Sequence, residues 1–212
     1  RKPPVERLAE YEDRGVEYII KDPEFYRGKK VVISGGGDSA LDWTNFLADG
    51  VASEVTLVHR RDGFRGHPDS VQKVLDLAAE GRIRLLTNGE VMGVEGDECL
   101  EALTVKHKTE GNLRLETDHW VPLFGLSPKL GPIADWNLNI SKNAIEVDTF
   151  DYSTNVDGIY AIGDINTYPG KLKLILCGFH EATLMVQSAF KRIYPDKNLV
   201  LKYTTVNGVN GF

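Results

Sequence analysis

Cysteine is scarce: Cys99 and Cys177 are the only two in 212 residues, and they form no Cys-x-x-Cys pair. That spacing offers neither a zinc-ligand set nor a redox dithiol, so buried, reduced thiols are expected. Long apolar runs are missing too. The stretch from Leu174 to Phe179 falls far short of the roughly 18 residues a membrane helix needs, so no membrane partner is expected. Nor is there an excess of base. With 25 Lys and Arg against 31 Asp and Glu the formal charge is -6. A phosphate-tracking surface usually shows as net basic, so nucleic acid is not an expected partner. His59, His67, His107, His119 and His180 keep no metal-ligand spacing, and no metal is expected. No secretory pattern opens the chain. Its start, Arg1-Lys2-Pro3-Pro4 with no Met, leads us to expect further sequence upstream.

What the chain has is glycine, at 21 positions, and 42% hydrophobic residues, the make-up of a globular chain of one large or two modest domains. Residues 16–20 alternate and predict a strand, and residues 23–29 a helical turn or loop. A buried strand is predicted over 30–34, an amphipathic helix over 38–50 closed by Gly50, and a second strand over 53–60, which together make a βαβ unit. Pro68 and Gly81 bracket a further helix, and a third parallel strand follows at 82–87. Short alternating segments over 90–96, 100–108 and 113–120 predict an antiparallel meander. Prolines and glycines crowd 121–132, which places a boundary near 125. Beyond it, strands are predicted over 143–148 and 158–164, and a long helix from about Lys171 to Tyr194.

The junction of the first strand and helix carries chemistry. Gly35, Gly37 and Ala40 fit G-x-G-x-x-A, with Gly36, Asp38 and Ser39 in the same turn, and this is the context a dinucleotide fingerprint requires. The first glycine permits the tight turn, the second lets a pyrophosphate approach the backbone, and the small third residue lets helix and strand pack closely. Free N–H groups at the helix start then face the phosphates, helped by the helix dipole. Asp38 and Ser39 are also candidates to cap that helix. An NAD site would place an acid at the end of the second strand to bond the ribose 2′-hydroxyl. Here that strand ends in Val58 and His59, followed by Arg60, Arg61 and, past Asp62-Gly63, Arg65. Guanidinium forks suit a 2′-phosphate that a carboxylate would repel, so the expected cofactor is NADP(H). His59 is read as a neighbour of that phosphate.

Further on, the apolar stretch 159–162 runs into Gly163-Asp164, then a loop and the long helix. Together, "GGGDSALDW", "HRRDGFR", "LGPIADWNL" and "GIYAIGD" resemble the two-dinucleotide flavoprotein reductases of the thioredoxin-reductase type, and among them the ferredoxin-NADP+ reductases. The resemblance implies a Rossmann-like α/β domain with a parallel sheet plus meander, followed by the C-terminal part of an FAD-binding domain. On it, Gly163 and Asp164 contact FAD, the Asp bonding the ribityl chain. The helix after them would point its N-terminus at the flavin, where its dipole stabilises negative charge. In the tail, Tyr203 would cover the flavin ring and Thr205 supply a hydroxyl. Small thioredoxin reductases carry a Cys-x-x-Cys just before this glycine turn. Here the corresponding stretch is "IIKDPEFYRGK", which has none.

These readings divide the chain into an interdomain linker at 1–20, an NADP(H)-binding domain at 21–125 and an FAD-domain portion with tail at 126–212. Crossings near 1–20 and 125–130 are candidate hinges. The N-terminal half of the FAD domain, with its own glycine turn, is absent from the sequence, which leaves FAD binding by the chain alone open. The implied activity is hydride transfer between NADP(H) and FAD followed by one-electron exchange with ferredoxin or a similar small redox protein. No side chain is needed as a catalytic acid or base. The same resemblance implies a homodimer at full length and a cytoplasmic location. Alternatives are a related flavin reductase with another acceptor, and a non-catalytic NADP(H)-binding redox sensor.

Overall fold

Lys30–Ser34 (β1) and Glu54–His59 (β2) are almost wholly buried along their length, so both faces of the sheet they form are covered. In the computed structural model, which describes residues 2–125 and 128–199, they pair in parallel from Lys30↔Glu54 to Ser34↔Val58. Arg84–Thr87 (β3) flanks β2, and His119–Pro122 (β7) flanks β1, giving the parallel order β3-β2-β1-β7. Side chains alternate between two cores. Val31, Ile33, Val55, Leu57 and Val121 pack with Ala40, Leu41, Leu47 and Val74 from helices Asp38–Ala48 (α1) and Pro68–Ala79 (α2). Val32, Val58, Leu86 and Trp120 pack on the other side with Val94, Leu103, Val105 and Leu115. The latter belong to an antiparallel meander of Gly89–Gly96 (β4), Leu100–His107 (β5) and Gly111–Glu116 (β6). Helices, parallel sheet and meander thus form three layers.

The segment predicted as one meander strand at 113–120 is divided in the fold. β6 stops at Glu116, and β7 joins the parallel sheet beside β1. Thr117 and Asp118 make the change of direction. The Thr117 hydroxyl donates to the carbonyls of Lys30 (3.0 Å) and His119 (2.8 Å), while the Asp118 carboxylate accepts the Lys30 N–H (2.8 Å). Two other predicted strands are corrected. At 16–20 there are only isolated bridges, Val16 pairing with Glu12 and Trp120. At 158–164 the backbone pairs only at Tyr160 with Ser153 before a 3-10 turn at Gly163–Ile165. A strand needs a continuous partner edge, and among the described residues neither segment meets one.

By its contacts the chain forms two compact units, Arg1–Leu126 and Ser127–Phe212. Residues 1–20, expected as a linker, contribute Leu8, Tyr11 and Val16 to the meander-side core. In the second unit Ile140–Ser141 (β8) and Ala144–Glu146 (β9) form a hairpin whose loop, Lys142-Asn143, has both residues at positive φ. Asn166–Thr167 (β10) lies parallel to β9. The long helix runs over Ile175–Ile193 (α3), starting a turn later than predicted.

Candidate functional site

The glycine turn folds as its spacing predicts, and for two of its three glycines the reason is steric. A Cβ on Gly35 would stand 2.7 Å from the Ala40 Cβ and 2.8 Å from the Leu123 carbonyl oxygen. On Gly36 it would enter the His59 ring, 2.2 Å from Cε1. On Gly37 it would meet nothing within 4 Å. Gly35 and Gly36 are therefore required by the protein's own packing, while the space beside Gly37 is open to a ligand. Gly37 is also the N-cap of α1, and no side chain caps that helix. The expectation that Asp38 or Ser39 caps it is thus corrected. Asp38 instead accepts the His67 N–H at 2.6 Å, and Ser39 is exposed. With no side-chain cap, the first-turn amides of α1 remain suited to an anion.

The loop after β2 folds back over this turn. Arg65 N–H donates to the Gly36 carbonyl (2.7 Å), Gly66 packs against Leu41 and Asp38, and Asp62 accepts from Asn88. His59 is nearly buried; its ring stacks on Phe64 at 5.0 Å, and its Nε2 bonds the Gly63 carbonyl at 3.1 Å. Burial pushes its imidazole below the ordinary value. The nearby charges of Arg60, Arg61 and Arg65 push it the same way, against the bond to Gly63. Among the described residues the side chains of these three arginines have no ion-pair partner, and all three are exposed. Arg60, Arg65, His59 and Gly36 line a cavity of about 300 Å³ at the carboxyl ends of β1 and β2, which Met92 and Phe124 also line. Glu90 on β4 reaches its wall too. A larger cavity of about 680 Å³ between α1 and α2 is lined by Asp42, Asp49, Asp76 and Glu80, a charge set that repels phosphate. Its cations are already paired, Lys73 with Asp69 and Arg82 with the cavity's own Asp49 and Glu80.

In the second unit Gly163 takes φ +75°, a left-handed conformation that favours glycine. Asp164 is exposed beside it. Sequence reasoning missed Glu181, which is fully buried on α3 and accepts the Gly163 N–H at 2.6 Å. Its signal in the sequence is an acid within the mostly apolar stretch Gly178–Val186, where His180 and Thr183 are the other polar residues. Tyr203 and Thr205 lie outside the described residues. Among the described residues no group of three or more His, Cys, Asp or Glu could hold a metal ion, and no helix is long and apolar enough to cross a membrane.

Comparison with known proteins agrees with this architecture. The chain is 63% identical over its whole length to a ferredoxin--NADP reductase of Christiangramia forsetii and 61% identical to one of Flavobacterium johnsoniae. It spans 61% and 60% of those two proteins. Among solved structures it is similar to the thioredoxin reductase of Lactococcus lactis, with a TM-score of 0.78 and 26% identity, covering 92% of this chain and 63% of that one. The thioredoxin reductase of T. acidophilum, at 24% identity and a TM-score of 0.76, shares the fold. Residues 2–186 match the family described as pyridine nucleotide-disulphide oxidoreductase, and to that family the chain belongs.

Proposed function

We propose that the chain binds NADP(H) on its first unit and contributes to an FAD site on its second, as part of a ferredoxin-NADP+ reductase. The observation that carries the first half is the group of Arg60, Arg61 and Arg65, free of ion pairs among the described residues, beside a glycine turn whose second fingerprint position is open. The pyrophosphate lies along residues 35–40, against the first-turn amides of α1. Arg60 and Arg61 fork onto the 2′-phosphate, and Arg65 flanks it. His59 stays neutral at pH 7 and walls the turn, so the bound nucleotide faces guanidiniums and not a protonated ring.

The second unit suits a flavin in its acceptor set. Asp164 presents an exposed carboxylate to hydroxyl donors, and the buried Asn166 Oδ1 is an acceptor without a partner among the described residues. FAD, when bound, supplies the step from two-electron hydride transfer to one-electron transfer. The protein orients the two nucleotides, and no side-chain acid or base is required. Ferredoxin is the acceptor that the names of the relatives support. This chain's own cysteines supply no Cys-x-x-Cys dithiol for a disulfide acceptor route; Cys99 is exposed and Cys177 half-buried, which corrects the expectation that both are buried.

The experiment is calorimetric titration of Arg60→Ala/Arg61→Ala with both nucleotides. NADPH binding should weaken by about tenfold or more, because each charge-assisted bond contributes on the order of 1.5 to 3 kcal/mol. NADH binding should stay nearly constant. Equal losses for the two would overturn the assignment. NADPH oxidation by the full-length protein with ferredoxin, thioredoxin and a quinone then separates the acceptors, and no oxidation with any of them would favour a sensor.

A further inference from the structure

Glu181 is a buried charged side chain of the second unit, held by hydrogen-bond donors. Its carboxylate is fully buried in the middle of α3 and gathers four donors: Gly163 N–H at 2.6 Å, Tyr168 O–H at 2.9 Å, Asn166 Nδ2 at 3.0 Å and the ammonium of Lys171. Every donor comes from residues 163–171, the turn and the segment that leads from it toward α3. Lys171 is itself nearly buried, with 6% of its side chain exposed. Helix and turn also touch directly, since a Cβ on Gly178 would lie 3.4 Å from the Gly163 Cα. Burying a carboxylate is costly unless it is paired and hydrogen-bonded, and this one is both. A helix needing only to pack would carry an apolar residue there.

We propose that Glu181 is a positioning residue: by taking the Gly163 amide and drawing in Asn166, Tyr168 and Lys171, it fixes the turn so that Asp164 points outward to its ligand. This rests on the reading of Asp164 as a flavin contact. Asp164 is exposed and its neighbour Gly163 is tethered inward, which is the division of labour the proposal requires. Burial would raise the Glu181 pKa, but Lys171, Gly163 and Tyr168 hold it below the usual carboxylate value, so the carboxylate is ionised at neutral pH. Burial of Tyr168, and after it the same carboxylate, push that phenol well above its ordinary range, so Tyr168 keeps its proton to donate.

The test avoids stranding a buried charge. Glu181→Leu/Lys171→Met removes both ions, a change that folds can tolerate well, whereas Glu181→Gln/Lys171→Met leaves an amide oxygen to accept the Gly163 N–H. Hydrogen exchange on the chain should show the Gly163 amide about tenfold or more faster in the first variant, slow again in the second, and the amides of β5 unchanged in both. FAD titration of the protein at the relatives' full length gives the other readout. The Leu/Met pair should weaken FAD about tenfold, the Gln/Met pair should restore it, and the Leu/Met pair added to Asp164→Ala should cost nothing further. If Asp164→Ala alone leaves FAD affinity intact, the flavin reading falls and the proposal with it. If Asp164→Ala weakens FAD while the Leu/Met pair does not, or if the losses add, the positioning role is overturned and the flavin reading stands.

Discussion

The imidazole of His59 occupies the space a side chain on Gly36 would need: a Cβ there would lie 2.2 Å from Cε1, 2.5 Å from Nδ1 and 2.6 Å from Nε2. The glycine turn and the end of β2 are therefore fitted to each other. Gly36→Ala forces the ring to move, and since the ring is held by Phe64 and Gly63 the variant should lose about 1–3 kcal/mol of stability. His59→Ala in the same molecule should return most of that loss. Denaturant unfolding of the two single variants and the double variant checks this, and additive losses would sink it.

Gly35 and Gly37 should respond in opposite ways. At Gly35 a methyl group meets backbone, the Leu123 carbonyl at 2.8 Å, so Gly35→Ala should destabilise by about 1–3 kcal/mol. At Gly37 the methyl group meets nothing within 4 Å, and φ of -103° is open to any residue, so the fold should be unaffected. Nucleotide affinity should instead fall by about tenfold, because the methyl group stands where phosphate approaches the backbone. Melting temperature and NADPH titration together decide the matter. A Gly37→Ala protein that melts early or binds normally contradicts it.

His59 also gives a pH dependence whose sign is fixed by its depressed folded-state pKa. Between that value and the ordinary value of about 6.5, the unfolded chain binds more protons than the folded one, so stability rises with pH. The contribution is complete above about pH 6.5 and is lost as the pH falls from there through the folded value. Unfolding free energies at pH 7.5 and 5.5 should therefore differ more for the parent than for His59→Gln. Equal differences would show that the ring does not titrate in this window.

The start of α3 carries Ile175, Leu176 and Phe179 at 83%, 76% and 71% exposure, with Leu172 and Leu174 just before it, also exposed. Such a patch drives association in water. The chain alone should bind a hydrophobic dye and sediment as larger species with rising concentration, and Ile175→Ser/Phe179→Ser should suppress both. Sedimentation velocity with a monomeric parent at high concentration would refute this.

Much of the first unit was legible because its causes are local. The apolar run at 31–33 and the run at 55–58, broken only by the buried Thr56, mark strands covered on both faces, and Pro68 and Gly81 bracket α2 with backbone preferences of their own. The reversal at Thr117-Asp118 was not legible, because its hydrogen bonds reach to Lys30, 88 positions away for Asp118. The same holds for Glu181, whose burial on α3 acquires meaning only once the 163–171 segment closes around it. In the stretch 158–164 the apolar pattern was real but among the described residues no continuous neighbouring edge meets it, and β propensity forms no ladder by itself. The arginines lay in between: their sequence spacing grouped them, and the fold added that no acid among the described residues neutralises them.

That last property reaches into how the protein is handled. Like charges crowded on one short loop raise the energy of the ligand-free state, and any multivalent anion that settles there lowers it. Sulfate or inorganic phosphate in a buffer is then a competitor as well as a stabiliser. Dissociation constants for the nucleotide will look weaker in phosphate than in a monovalent buffer at equal ionic strength.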